Sequence, residues 1–536
     1  MLVATAALAL FAAFPVAARG ERAAPGDPLT GVWKGRCTGN NPVIPPEGVP
    51  FTLVLESRGE DEAVATLAID GLANSKPAEA EFDAESGELS FRCELAGMGI
   101  LVDVEGIVAK EEFSGKATGL GVSAEMSAKR TSLELPKADA PAGPGRPVVD
   151  LATLSPDAWR EDLRFLAENL PKVHVDAFHA IKREDWERRV REIDERLPRA
   201  TPAQSAVALA QLVAAVGDSH TELGLGAPPF DRFLPVAFTW FSDGLFVTAI
   251  DERYGEALAA RVLRIGVRSA DEAIAAVCTT FTDENGQWRR AMAPSMLARP
   301  ALLEALGVVT SANALPLVVA GADGAEVAVT VEGSATKWLF APDRSIVPTP
   351  LWQRDPRSAY WFEVLEPQRA VYLAYNRCAE DPARPIAPLF EEVFAALDHF
   401  ESGRLVIDLR HNSGGNSGVL STFLTQLAEH TRAPRELDVL IGPSTYSSGM
   451  TNAAELRRDA GARLLGEPTG GKPNSYGEMR AFALPRSGLY VFYSTKLFGW
   501  LEGDPQAVEP DVLVPLSSAD AFAGADPVLE RALRSD

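Results

Sequence analysis

At 536 residues the chain is too long for one hydrophobic core, so three or four domains of about 100–200 residues each are expected. Its 46% hydrophobic and 23% charged residues are those of an ordinary globular protein and exclude a chain disordered over its whole length. Lys and Arg number 51 against 74 Asp and Glu, a formal net charge of -23; that surface repels phosphate backbones, no basic run with interleaved aromatics offsets it, and nucleic acid is excluded as a partner.

Residues 2–18 are apolar and Ala-rich and end in Val16, Ala17 and Ala18. A short apolar stretch closing on small residues reads as a secretory signal, here residues 1–18, although the usual basic start is missing. Export to the periplasm or the extracellular space is therefore expected. The stretch is short for a membrane helix and carries Pro15, and no later segment is long and apolar enough, so no stable membrane span is expected.

Residues 29–131 read as a small β-barrel or sandwich. The runs 51–55, 65–69 and 89–93 are apolar or alternating and lie between Gly, Asn and Asp turn signals. Cys37 and Cys93 fall in this region and could pair in an oxidising compartment, whereas Cys278 and Cys378 read as ordinary buried thiols. No CxxC or Cys/His cluster points to a metal, and no cofactor is expected. Residues 132–150, rich in Pro, Gly and Ala, form an extended linker.

Residues 151–225 read as a helical segment. In 185–197, Trp186, Val190, Ile193 and Leu197 share one face, with the charges on the other. Thr201 and Pro202 start a further helix as N-cap and first helical residue, and Gly217 ends it. Residues 226–345 return to mixed strands and helices, with strands at 246–250 and 327–331. The last region, 355–536, alternates strands at 404–409, 436–441 and 462–466 with helices, one of them at 450–459 and closed by Gly461; that order is α/β.

Four segments carry candidate chemistry. Ser447 sits where a strand gives way to a helix, and free N–H groups at the helix start would stabilise a developing oxyanion. An N-cap serine would produce the same pattern. Gly414 and Gly415 follow a buried strand and let the backbone turn N–H groups toward an anion. Lys472 lies one helix and one strand beyond Ser447 and would serve as a base if burial lowered its pKa; an ordinary surface lysine would look alike. His220, in Gly-Asp-Ser-His-Thr, is one of only six histidines, and distance along the chain is no obstacle to a triad.

Together these segments resemble the C-terminal processing peptidase family, which includes the tail-specific proteases and the tricorn core. The resemblance spans about residues 155–535 and also takes in 173–179, 218–221, 234–238 and 508–512. The N-terminal β-domain lies outside the resemblance; added to it, the resemblance implies a multidomain α+β fold in which the helical segment is followed by a degenerate PDZ-like segment and a crotonase-like ββα catalytic domain. It further implies a serine peptidase acting on peptide or protein substrates. Ser447 would be the nucleophile, and Gly414 or Gly415 with Ser448 the oxyanion hole. The family offers two bases, and both candidates are present. Lys472 matches the dyad arrangement. Ser219 and His220 match the tricorn-like one, in which a late acid acts through the serine; here that acid is Asp504, with Glu502 as its rival. His220 is favoured because it needs the smaller pKa adjustment near neutrality. A ligand carrier of the same fold and an esterase are the rival functions; the chain lacks a G-x-S-x-G elbow around Ser447. The oligomeric state is not legible.

Overall fold

The computed structural model describes residues 27–38, 49–58, 62–69, 73–75, 78–95, 100–119, 122–133, 150–226, 228–343, 345–381, 384–400, 403–429 and 436–534. The expected signal and most of the expected linker lie outside them.

The N-terminal region is a closed antiparallel barrel. Eight strands (Gly31–Thr38, Val49–Ser57, Glu62–Ile69, Ala78–Phe82, Glu88–Leu95, Ile100–Ala109, Glu112–Gly119 and Val122–Ser132) pair in chain order, and the last closes on the first. Period-two alternation sends one set of side chains inward. Trp33, Phe51, Leu53, Leu55 and Phe113 fill the interior. Each such fully buried side chain contributes about 1.5–3 kcal/mol. Cys37 and Cys93 do not pair: their strands are not neighbours in the barrel, both thiols are free and buried, and burial pushes them up to about 12 and about 11.

Three helices follow, Pro156–Val173, Arg183–Arg196 and Pro202–Ala214. The last starts with Thr201 as N-cap and Pro202 at its first position, as its sequence suggests, and Gln204 completes a capping box with Thr201. The apolar face of the second buries Trp186 and Ile193. The helices share one apolar cluster with the next sheet, whose main path runs Val236–Phe241, Gly244–Asp251, Arg261–Ile265, Ala314–Ala320 and Glu326–Glu332. That sharing fixes the helical segment, and with it His220, against the rest of the molecule.

The C-terminal region is built on a six-stranded sheet ordered Tyr360–Leu365, Ala370–Tyr375, Arg404–Asp408, Glu436–Ile441, Arg463–Gly466, Val512–Leu513. The first pair is antiparallel and the rest are parallel. The parallel strands are buried on both faces, hence the continuous apolar runs at 404–409 and 436–441. Helices Ile386–Asp398 and Ser448–Ala460 pack on one face, and Pro527–Leu533 on the other. A hairpin of Tyr476–Ala483 and Tyr490–Leu497 pairs with Glu222–Leu223, which joins the segment just after His220 to the C-terminal region.

Candidate active site

Consecutive parallel strands release their loops at the same edge of the sheet, so residues 409–416, 442–447 and 467–472 converge at its carboxyl end. The middle loop is held from both sides. Thr445 Oγ1 donates to Leu409 O at 2.8 Å and accepts from Gly442 N–H at 3.0 Å, and Tyr446 N–H donates to Asn412 O at 3.0 Å. Ser447 follows at φ 50° and ψ -126°, a conformation that costs a non-glycine residue about 1–3 kcal/mol. It precedes the helix Ser448–Ala460 but makes no side-chain cap bond, so its hydroxyl is not spent as a helix cap.

The glycine turn lies directly against Ser447. A Cβ on Gly414 would fall 2.8 Å from Ser447 Cβ, and one on Gly415, at φ 130°, would fall 2.3 Å from Cys378 O. The turn therefore tolerates no side chain at either position. Ser448 Oγ donates to Gly415 O at 2.7 Å and ties the turn to the helix start. Gly414 N–H donates to Asn412 Oδ1 at 3.0 Å and is thereby committed. Ser448 N–H, at the first helical position, has no acceptor within its own helix.

His220 reaches this loop from the helical segment: Nε2 lies 3.0 Å from Ser447 Oγ. Its backbone is anchored by Asp218, whose Oδ1 accepts His220 N–H at 2.9 Å. Asp218 Oδ2 accepts from Thr221 Oγ1 at 2.5 Å and lies 3.1 Å from His174 Nε2. Because His174 Nδ1 accepts Asp176 N–H, Nε2 is the protonated nitrogen and donates to Asp218. Burial raises the Asp218 carboxyl, but the bonds from His174 and Thr221 and the nearby His220 outweigh it and hold it at about 2. Burial lowers the His220 pKa, and Asp218 opposes that shift.

The other ring nitrogen, His220 Nδ1, is 3.0 Å from Tyr446 Oη, which is 2.6 Å from Ser219 Oγ. Tyr446 is stacked between His220 and Trp288, with ring centroids 4.8 Å and 3.9 Å away. Glu284 Oε1 accepts Ser219 N–H and Oε2 accepts Lys472 N–H, both at 3.3 Å. Lys472 Nζ is 2.9 Å from Asp504 Oδ1. The structure thus brings Ser447, His220, Ser219, Ser448 and the two glycines together. Lys472 and Asp504 are paired with each other, at the rim, and Glu502 is exposed.

Sequence reasoning missed Glu284, Tyr446, Trp288 and the Asp218–His174 pair. Tyr446 adjoins the singled-out serine, and Asp218 and His174 lie within singled-out motifs, so position alone could have found them. Glu284 stands in an ordinary acidic turn and carries no local signal. Among the described residues no group of three or more His, Cys, Asp or Glu side chains is placed to hold a metal ion.

No family model matches the sequence, and no curated protein matches it significantly. Solved structures do. Mature CPAF complexed with lactacystin is similar at a TM-score of 0.52 and 15% identity, over 70% of this chain and 97% of that one. Mature CPAF alone gives 0.50 and 14%, over 70% and 96%. The photosystem II D1 C-terminal processing protease gives 0.33 and 14%, over 69% and 98%. At these identities the likeness to CPAF is one of fold.

Proposed function

We propose that this chain, with its C-terminal-processing-peptidase-like fold, is a serine peptidase in which Ser447 is the nucleophile and His220 the general base. The observation that carries the reading is the 3.0 Å approach of His220 Nε2 to Ser447 Oγ at a strained strand-to-helix turn beside a glycine loop. Burial keeps His220 neutral near physiological pH, the state a base requires. Ser447 Oγ attacks the peptide carbonyl as its proton passes to Nε2. Ser448 N–H and Gly415 N–H receive the oxyanion, the stronger for acting in a partly desolvated site. The imidazolium then protonates the leaving amine, and water clears the acyl-enzyme. Lys472 is not the base in this reading, because its ammonium is paired with Asp504.

The same reading takes 226–345 as a degenerate PDZ-like segment, 355–536 as a crotonase-like ββα catalytic domain, and the protein as exported. Among the described residues no helix is long and apolar enough to cross a membrane. The test is cleavage of a mixed peptide library beside simple esters by wild type, Ser447→Ala and His220→Ala. Peptide cleavage by wild type, lost in both variants, is expected. Peptide cleavage that survives Ser447→Ala, or ester hydrolysis alone, overturns the reading.

A further inference from the structure

The His220 ring is held by a chain of groups that leads away from the reacting atoms and ends at a carboxylate in another part of the fold. We propose that Glu284 is a positioning residue that sets, through Ser219 and Tyr446, which nitrogen of His220 carries the proton. The inference rests on the reading of Ser447 and His220 as nucleophile and base.

The bonds have a direction. Ionised Glu284 is acceptor only, so it takes both the N–H and the hydroxyl proton of Ser219. Ser219 Oγ then accepts from Tyr446 Oη, and Tyr446 Oη accepts from His220 Nδ1–H. That leaves the Nε2 lone pair facing Ser447 Oγ, the tautomer a base needs. A proton on Glu284 lets the chain run backwards. Glu284 donates to Ser219 Oγ, Ser219 to Tyr446 Oη, and Tyr446 to Nδ1. The ring proton then resides on Nε2 and blocks acceptance from Ser447.

The chain is built into the fold rather than incidental. Asn285 caps the helix Gly286–Met296, and its Nδ2 donates to Thr469 O and Gln506 O, which pins the Glu284 turn to the loop after strand Arg463–Gly466. Tyr446 is fixed edge and face: Trp288 stacks on it, and a Cβ on Gly471 would fall 3.0 Å from its ring. Asp504, the acid suggested by sequence, is engaged with Lys472 instead. The charged and titratable groups around Glu284 are Asp218 and His220 on the helical segment, Tyr446 on the nucleophile loop, and Lys472 paired with Asp504 at the rim; Asp283, paired with Arg289, lies on its own turn. Burial, and then the charge of Asp218, raise the Glu284 carboxyl above its ordinary range, so its ionisation falls closer to the working pH of the base.

The test is the pH dependence of kcat/KM for the full chain on a cleaved peptide, with wild type, Glu284→Gln, Tyr446→Phe, Ser447→Ala and His220→Ala. Both Glu284→Gln and Tyr446→Phe keep the shape of the side chain, and the second keeps both ring stacks, so folding is preserved. In wild type two ionisations, Glu284 and His220, give an acid limb of limiting slope about two, and each conservative variant reduces it to about one. Both variants lose about 100-fold in kcat with KM little changed. Loss in Ser447→Ala and His220→Ala beside unchanged rates and slope in the two conservative variants overturns the chain alone. A lower kcat with the slope still about two also overturns it, since a merely structural role gives that result. Activity retained in Ser447→Ala overturns the nucleophile reading beneath it.

Discussion

Asp218→Asn tests whether the anchor of the His220 segment works through its charge. Asp218 is fully buried, and its carboxylate accepts from His220 N–H, Thr221 Oγ1 and His174. Its pKa is about 2 in the fold against 3.8 for a free aspartate. That difference contributes about 2 kcal/mol at neutral pH. The folded pKa is the lower one, so the contribution is complete above the unfolded value and is lost as pH falls toward the folded one; roughly half is gone by pH 3. The assay is urea unfolding of wild type and variant from pH 7 to pH 3. The gap between them should narrow across that range, and His220→Ala and Asp218→Asn should both slow peptide cleavage. A gap that stays constant with pH would refute the claim that the ionised carboxylate, rather than shape, holds the segment.

Gly415→Ala drives a methyl toward Cys378 O and displaces the glycine turn, so kcat should fall about 100-fold with KM little changed, read by steady-state kinetics. Lys472→Met should leave kcat within a few-fold of wild type, because the ammonium faces Asp504; a base would cost about 100-fold or more. Arg410 bridges Asp408 and Asp526 at distances down to 2.5 Å in a buried site. Arg410→Met should therefore cost about 3–5 kcal/mol in urea unfolding, by leaving two carboxylates without their cation.

Much of the scaffold was legible because it rests on local rules. The parallel strands announce themselves as apolar runs, the helix from Pro202 by its Thr-Pro start, and the helix Ser448–Ala460 by its closing Gly461, at φ 68°. The N-terminal domain was legible as a barrel or a sandwich but not as one rather than the other, since closure depends on Val122–Ser132 meeting Gly31–Thr38 across the whole domain. The same non-local closure sets Cys37 and Cys93 on strands that are not neighbours, which spacing could not reveal. At the site, Ser447 and His220 stand out by motif, and their meeting depends on a long-range hairpin pairing with Glu222–Leu223. Glu284 was invisible because its partners, Ser219 and Lys472, lie 65 residues before it and 188 after it. The sequence offers Lys472 as a base and Asp504 as an orienting acid from motif position alone; the attraction of opposite charges at the rim pairs them with each other instead.

The central claim is that the hydroxyl at position 447 is an activated nucleophile. Wild type, His220→Ala and Lys472→Met should each be treated with a fluorophosphonate and the adduct located by mass spectrometry of proteolytic fragments. The account predicts one modified residue, Ser447, with fast modification in wild type and Lys472→Met and little in His220→Ala. Modification at another serine, or equal rates in wild type and His220→Ala, would contradict it.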